Sequence, residues 1–176
     1  MKSVFVLLVT VLLAGAARAA VFSVTNVAGL QAALTAAQAN GEDDVINVAS
    51  GVYVVSTRLA YAGAENRALS IIGAGAAATR LDGNRAHQVM VLENAEGGAI
   101  SVAGFTFVNG SNTFGEGIGG GLAIVCNGAG VPHVASCVFS NNCALRTAGG
   151  VYLSTQSGAT ITNCIAARNT TVIDDC

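Results

Sequence analysis

Apolar positions follow a helical period once along this chain and a strand-like pattern everywhere after it. From Val27 to Asn40, the residues Leu30, Ala33, Leu34 and Ala37 fall at the i, i+3, i+4, i+7 spacing of one helix face. Gln31, Thr35 and Gln38 lie off that stripe. Asn26 is placed to cap the start of this helix, and Gly41 to supply a left-handed residue after its end. Beyond Gly41 the apolar residues come in short β-branched runs divided by glycine or polar turns. Val45–Val48, Val52–Val55, Leu69–Ile72, Val89–Leu92, Ala99–Val102, Phe105–Val108 and Leu122–Val125 are such runs. His133–Phe139, Val151–Leu153 and Ala159–Ala166 continue the series. Many short strands and a single helix predict an all-β chain.

Two recurring elements separate a solenoid from a sandwich. Gly-Gly followed by two mostly apolar residues occurs at Gly97-Gly98-Ala99-Ile100, Gly120-Gly121-Leu122-Ala123 and Gly149-Gly150-Val151-Tyr152. From 97 to 120 is 23 residues, and from 120 to 149 is 29. The second element is Ala103-Gly104-Phe105-Thr106-Phe107, then Ala135-Ser136-Cys137-Val138-Phe139, then Thr162-Asn163-Cys164-Ile165-Ala166. It makes Phe105, Cys137 and Cys164 equivalent, and Asn142 and Asn169 each follow their cysteine by five residues. Such a repeat, with two or three strands and no second helix, is one coil of a parallel β-helix. Equivalent residues then stack along the axis at about 4.8 Å. Phe107 and Phe139 are expected inside, and Asn142 and Asn169 on a turn, bonding to backbone and to each other. Glycine pairs suit the tight corners. The amphipathic helix has a place as a cap over the open first coil.

The first residues follow another logic. Met1-Lys2-Ser3 carries one positive charge, Val4–Leu13 is apolar except for Thr10, and Ala14–Ala19 is small-residue and ends in Ala17-Arg18-Ala19. These are the parts of a secretory signal peptide, with cleavage expected after Ala19. The apolar run is shorter than the roughly 20 residues a membrane span needs. No later stretch approaches its length, so the mature chain is expected to be secreted or displayed at the cell surface without a transmembrane segment. The organisation expected is a signal peptide over 1–19, an N-terminal cap over 20–44 holding the helix 27–40, and β-helix coils over 45–176. The coils stop just after a turn without a second cap, so the chain is expected to continue at its C-terminus in a longer passenger.

Composition narrows the classes further. Hydrophobic residues make up 52% and charged residues 10%, where soluble domains carry about 25% charged; this excludes a disordered chain. The 22 glycines lack a G-X-Y period, which excludes collagen. Lys2 and Arg18 precede the cleavage point, leaving six arginines against ten acids, a net of −4. Such a chain has no electrostatic means of gripping a phosphate backbone, so nucleic acid and anionic membranes are not expected partners. The five cysteines, Cys126, Cys137, Cys143, Cys164 and Cys176, leave a disulfide staple and a set of buried thiols both open. Cys137 and Cys164 fall on equivalent coil positions. Their in-register side chains point the same way, which favours an interior ladder of free thiols over a bond between them.

At this point the residues resemble a known group. Gly120-Gly121-Leu122-Ala123 and Gly149-Gly150-Val151-Tyr152 resemble the G-G-[apolar]-[apolar] motif of polymorphic outer-membrane-protein repeats, and Phe139-Ser140-Asn141-Asn142 matches the companion F-x-x-N. Phe107-Val108-Asn109-Gly110 departs from it, with its asparagine one place early, and Ala166-Ala167-Arg168-Asn169 lacks the phenylalanine. Val21-Phe22-Ser23-Val24-Thr25 through Asn47-Val48-Ala49-Ser50-Gly51-Val52-Tyr53 is similar to the opening of secreted β-helix proteins of the pectate-lyase-like superfamily. So are Leu69-Ser70-Ile71-Ile72-Gly73-Ala74-Gly75 and Thr79-Arg80-Leu81-Asp82-Gly83. The resemblance implies a right-handed parallel β-helix that is exported, and often the passenger of a larger protein ending in a barrel or anchor.

The acids are the first candidates for chemistry, since β-helices of that group include polysaccharide lyases and hydrolases, and glycoside hydrolysis needs paired carboxyls. Asp43-Asp44, between helix and first strand, is expected to be a solvated turn; Asp82-Gly83-Asn84 has the look of a β-turn; Asp174-Asp175 lies at the end of the chain. None recurs at the coil period, and no catalytic, cofactor-binding or metal-ligating residue is assigned. Gly115-Glu116-Gly117-Ile118-Gly119-Gly120 is a formal G-x-G-x-x-G but leads into a strand, so a corner is expected there and no dinucleotide site. His87 and His133 are expected to be surface or turn residues. Asn109-Gly110-Ser111 and Asn169-Thr170-Thr171 are formal glycosylation sequons.

Three functions fit this sequence. A non-catalytic module for surface display or adhesion, meeting glycans or other cell-surface molecules, is expected first. A carbohydrate-active enzyme whose site lies outside the recognised motifs is the alternative. Self-association through the uncapped C-terminal coil is the third.

Overall fold

The structure is a computed structural model that describes residues 19–113 and 117–171. The expected leader, Ala19 excepted, and Asp174-Asp175 lie outside the described residues. β1 (Ala19–Val24) and α1 (Val27–Ala36) come first. β2 (Asp43–Val48), β3 (Gly51–Val54) and β4 (Leu59–Gly63) form the first coil, and β5 (Leu69–Gly73), β6 (Thr79–Asp82) and β7 (Met90–Asn94) the second. The third holds β8 (Ile100–Ala103), β9 (Thr106–Val108), β10 (Ser111–Asn112) and β11 (Leu122–Cys126). The fourth holds β12 (Pro132–Ala135), β13 (Val138–Ser140), β14 (Cys143–Ala144) and β15 (Val151–Thr155). β16 (Thr160–Thr162), β17 (Ile165–Ala167) and β18 (Thr170–Thr171) begin a further coil.

Strands of successive coils pair side by side, and every pairing among the described residues is parallel. The sheets run β1-β2-β5-β8-β12-β16, β3-β6-β9-β13-β17, β4-β7-β11-β15 and β10-β14-β18. This is a parallel β-helix, as the repeats predict. The register stacks Thr106 on Arg80 and under Val138, which in turn meets Ile165. Phe105, Cys137 and Cys164 are therefore equivalent, as expected. The first Gly-Gly element is placed differently. Gly97-Gly98 enters β8, which pairs with β12, whereas Gly120-Gly121 and Gly149-Gly150 enter β11 and β15, which pair with each other. The two kinds of glycine pair serve different corners, and their common cause is crowding. A Cβ on Gly98 would lie 2.0 Å from the Arg67 carbonyl oxygen, and one on Gly120 2.1 Å from that of Cys143.

Left-handed residues set the bends. Gly104, Ser136 and Asn163 have φ of 77°, 52° and 51° between the first and second sheets. They split the expected long strands His133–Phe139 and Ala159–Ala166 in two. After the second sheet, Asn109, Asn141 and Arg168 repeat the conformation at 53°, 54° and 55°. The next position carries the asparagine ladder. Asn142 accepts from the Gly110 N–H (2.7 Å) and donates to the Phe107 carbonyl (3.0 Å) and to Asn169 Oδ1 (3.0 Å). Asn169 in turn accepts from the Asn142 N–H and donates to the Phe139 carbonyl. Each asparagine thus binds the coil before it with a full side-chain amide.

Inside, the rings of Phe107 and Phe139 stack 5.1 Å apart at 9°, and Phe105 tilts against Phe107 at 5.8 Å. Leu59, Met90 and Leu122 form one interior row, and Tyr61, Leu92 and Ile124 another.

The helix buries Leu30, Ala33 and Leu34 and is capped by Asn26, whose side chain accepts from the Gly29 N–H at 2.7 Å. It stops at Ala36, short of the expected Asn40. The Gln38 N–H turns back to the Thr35 carbonyl, and Asn40 is drawn to Asp44 instead. The helix lies against β4, the edge of its sheet. There the Gln31 amide takes the role of a missing strand, donating to the Ala60 carbonyl and accepting from its N–H, both at 2.9 Å. Replacing Gln31 by methionine keeps the length but leaves both groups unpaired. A loss of about 1–2 kcal/mol in urea unfolding is expected.

Candidate functional site

The acids come first, because they are the residues from which hydrolysis would be built. Asp43 and Asp44 do not form a solvated turn. They open β2, which places Asp44 on the inward side, 2% exposed. Its carboxylate accepts from Asn40 Nδ2 at 2.7 Å, Asp43 accepts from the Ala68 N–H, and Glu65 accepts from the Gly41 N–H. Together these carboxylates tie the turn after α1 to the first coil. Burial raises the Asp44 pKa, the Asn40 bond opposes that, and the charges of Glu42, Asp43 and Glu65 add to the rise. A carboxyl with that shift suits acid chemistry, but here no substrate can reach it.

The sign of the shift gives a prediction. The folded state favours neutral Asp44, so its contribution to stability is full below the unfolded carboxylate value and is lost as pH rises through the raised folded value. Asp44→Asn keeps an acceptor for Asn40 and removes the charge. It is expected to melt a few degrees above the parent at pH 7 and level with it at pH 3, as followed by circular dichroism.

Asp82 ends β6 and is held differently. Burial alone would raise it, but the Asn84 N–H, Arg80 and the Asn109 amide bring it below the ordinary carboxylate value. Its bond to Arg80, at 2.8 Å, is the ion pair among the described residues. The turn expected at Asp82-Gly83-Asn84 begins one residue on, closed by the Ala86 N–H on the Gly83 carbonyl.

A cleft of about 250 Å³ with polar groups in its wall lies on the corner after the second sheet, lined by Arg85, Gly110, Ser111, Asn141, Cys143, Arg168 and Thr170. A neighbouring cleft of about 190 Å³ shares Ser111 and adds Arg58, His87 and Asn112. Coil stacking creates this surface. β10, β14 and β18 pair Ser111 with Cys143 and Cys143 with Thr170, so residues far apart in sequence become successive rungs of one floor. Arg85 and Arg168 stand exposed at its two ends, with φ of 56° and 55°. A left-handed backbone at such a residue costs of order 1 kcal/mol. Neither makes an ion pair among the described residues, and each guanidinium is a fork of donors without an acceptor. The cleft therefore offers donors to acceptor-rich groups such as carboxylate, sulfate or sugar hydroxyl. Among the described residues it offers no nucleophile joined to a base: no side-chain bond links Ser111 to His87, and Cys143 is disulfide-bonded.

The other marked residues fall outside this cleft. His133 faces outward from β12 and bonds Thr160 Oγ1 on the next rung. It belongs to an outward row Ser70, Ser101, His133, Thr160 on the first sheet. Cys126, Cys137 and Cys164 are free thiols. Cys137 and Cys164 form the expected ladder: the Cys137 N–H meets Cys164 Sγ at 3.4 Å, and burial pushes the Cys137 thiol up to about 11. Of the G-x-G-x-x-G stretch, Gly115 and Glu116 lie outside the described residues, and its end turns into β11. Both sequons are occupied by the fold, since Asn109 Nδ2 binds Asp82 and Asn169 Nδ2 binds the Phe139 carbonyl.

Among the described residues no group of three or more His, Cys, Asp or Glu could hold a metal ion, and no helix is long and apolar enough to cross a membrane. The arginine cleft escaped the sequence motifs. Its one sequence signal is Arg168 standing just before Asn169, where the neighbouring coil has Asn141 before Asn142. Comparison of the chain with protein families, curated proteins and solved structures finds no match.

Proposed function

We propose that this chain is a non-catalytic, exported β-helix module that acts by surface display or adhesion. The observation that carries the reading is the cleft between Arg85 and Arg168. It presents a charged donor at each end of a floor built from successive rungs, and among the described residues no activated nucleophile and no accessible pair of carboxyls lies beside them. Stacked coils supply what adhesion needs, a long surface whose side chains repeat at the inter-strand spacing. Ser70, Ser101, His133 and Thr160 add a row of small polar groups on another face. Glycans and cell-surface molecules bearing carboxylate or sulfate are the ligands this chemistry suits.

The test is binding to an array of neutral, carboxylated and sulfated oligosaccharides, with release of reducing ends and of unsaturated sugars followed in parallel. The expected result is retention of the acidic members without cleavage, lost in the double variant Arg85→Ala, Arg168→Ala, whose melting is unchanged. Cleavage of any polymer would instead favour the carbohydrate-active enzyme. Binding that ignores the two arginines would remove the cleft from the account.

A further inference from the structure

The chain contains three asparagine–glycine pairs, Asn40-Gly41, Asn109-Gly110 and Asn127-Gly128. In such a pair the glycine, lacking a Cβ, leaves its backbone nitrogen open to attack the asparagine Cγ. The new N–Cγ bond closes a succinimide, the Cγ–Nδ2 bond breaks, and the glycine proton passes through solvent to the departing ammonia. Water then opens the ring at either carbonyl, giving aspartate or isoaspartate. The reaction needs an amide free to turn and a glycine N–H free to lose its proton.

The fold withholds both from two of the pairs. Asn40 is held at each end of its amide, donating to Asp44 and accepting from the Glu42 N–H, while the Gly41 N–H binds Glu65 at 2.7 Å. Asn109 donates to Asp82, and the Gly110 N–H is buried on Asn142 Oδ1 at 2.7 Å. The third pair differs on every count. Asn127 and Gly128 are both exposed on the corner after β11. Among the described residues neither the Asn127 side-chain amide nor the Gly128 N–H has a hydrogen-bond partner, and a Cβ built on Gly128 would meet nothing nearer than 3.8 Å. We propose that Asn127 is a site of spontaneous deamidation and isoaspartate formation, and that Asn40 and Asn109 are shielded from it by the ladder and cap bonds.

The product alters this corner. A carboxylate replaces a neutral amide, and isoaspartate adds a methylene to the main chain inside the turn that the Gly130 N–H closes on the Asn127 carbonyl. The adjoining bond from Ser157 Oγ to the Gly128 carbonyl, 2.7 Å, ties this turn to the next coil and is loosened with it. An isoaspartate-specific protein methyltransferase would find its acceptor here.

The experiment incubates the protein at mildly alkaline pH, folded and in urea, and maps the product at all three asparagines. A methyltransferase assay counts isoaspartate alongside. In the folded protein, conversion at Asn127 is expected to exceed that at Asn40 and Asn109 by about tenfold or more, because the shielded pairs react only on local opening. In urea the three should converge. Asn127→Ser should remove the folded-state methyl acceptor. Equal conversion at the three sites in the folded protein, or an inert Asn127 beside a reactive unfolded chain, would overturn the proposal.

Discussion

Asn142→Ala is expected to destabilise the protein by about 2–6 kcal/mol in urea unfolding, because it strands two buried backbone groups at about 1–3 kcal/mol each. Those groups are the Gly110 N–H and the Phe107 carbonyl, which lie on the coil before it. Out of a total stability of about 5–15 kcal/mol, that is a large share. Asn142→Asp is the sharper variant. It has the same shape and keeps the acceptor toward Gly110, but it turns an oxygen toward the Phe107 carbonyl and Asn169 Oδ1, both acceptors. At pH 7 it is expected to be less stable than the alanine variant. The buried acid favours its neutral form, so stability should return as pH falls through its raised value. A turn asparagine facing water would show neither the size of the loss nor this order.

Phe107→Ala is the second large effect, about 3–5 kcal/mol for an aromatic removed from a core. The ring lies between Phe105 and Phe139 and is fully buried. Its loss opens a cavity on the axis and removes a stacked pair as well. The control sits on the outward row of the same sheet, where Val52 is 67% exposed and stacks on Arg80. Val52→Ala is expected to change stability by less than about 0.5 kcal/mol. A larger loss at Val52 than at Phe107 would mean that the faces of this sheet are assigned the wrong way round.

Residues that must repeat were legible in the sequence. Phe105, Cys137 and Cys164 stack as equivalents because interior rows and the turn asparagines constrain what each coil can carry, and that constraint survives as spacing. Glycine pairs carry less information, since any corner where backbones nearly touch selects them; hence Gly97-Gly98 marks a different corner from Gly120-Gly121. β4 has two alanines and no β-branched residue in Leu59–Gly63. It is a strand because β7 pairs it and the Gln31 amide seals its edge, and tertiary pairing of that kind overrides local preference. Asp44 departs from its expected place in a solvated turn for a similar reason. A carboxylate reads as solvated until the Asn40 amide and the helix end are seen covering it. The arginine cleft was the least legible feature, for Arg85 and Arg168 come to line one cleft only once the intervening coils are stacked.

The most direct test of the account is the pairing register, measured as cross-strand backbone NOEs in the isotope-labelled protein. The parallel β-helix predicts that Thr106 contacts both Arg80 and Val138, and that Ser101 contacts both Ser70 and His133. Each pair is a full coil apart in sequence. Contacts that instead join β8 to β9 as an antiparallel hairpin would contradict the solenoid, and with it the asparagine ladder and the cleft.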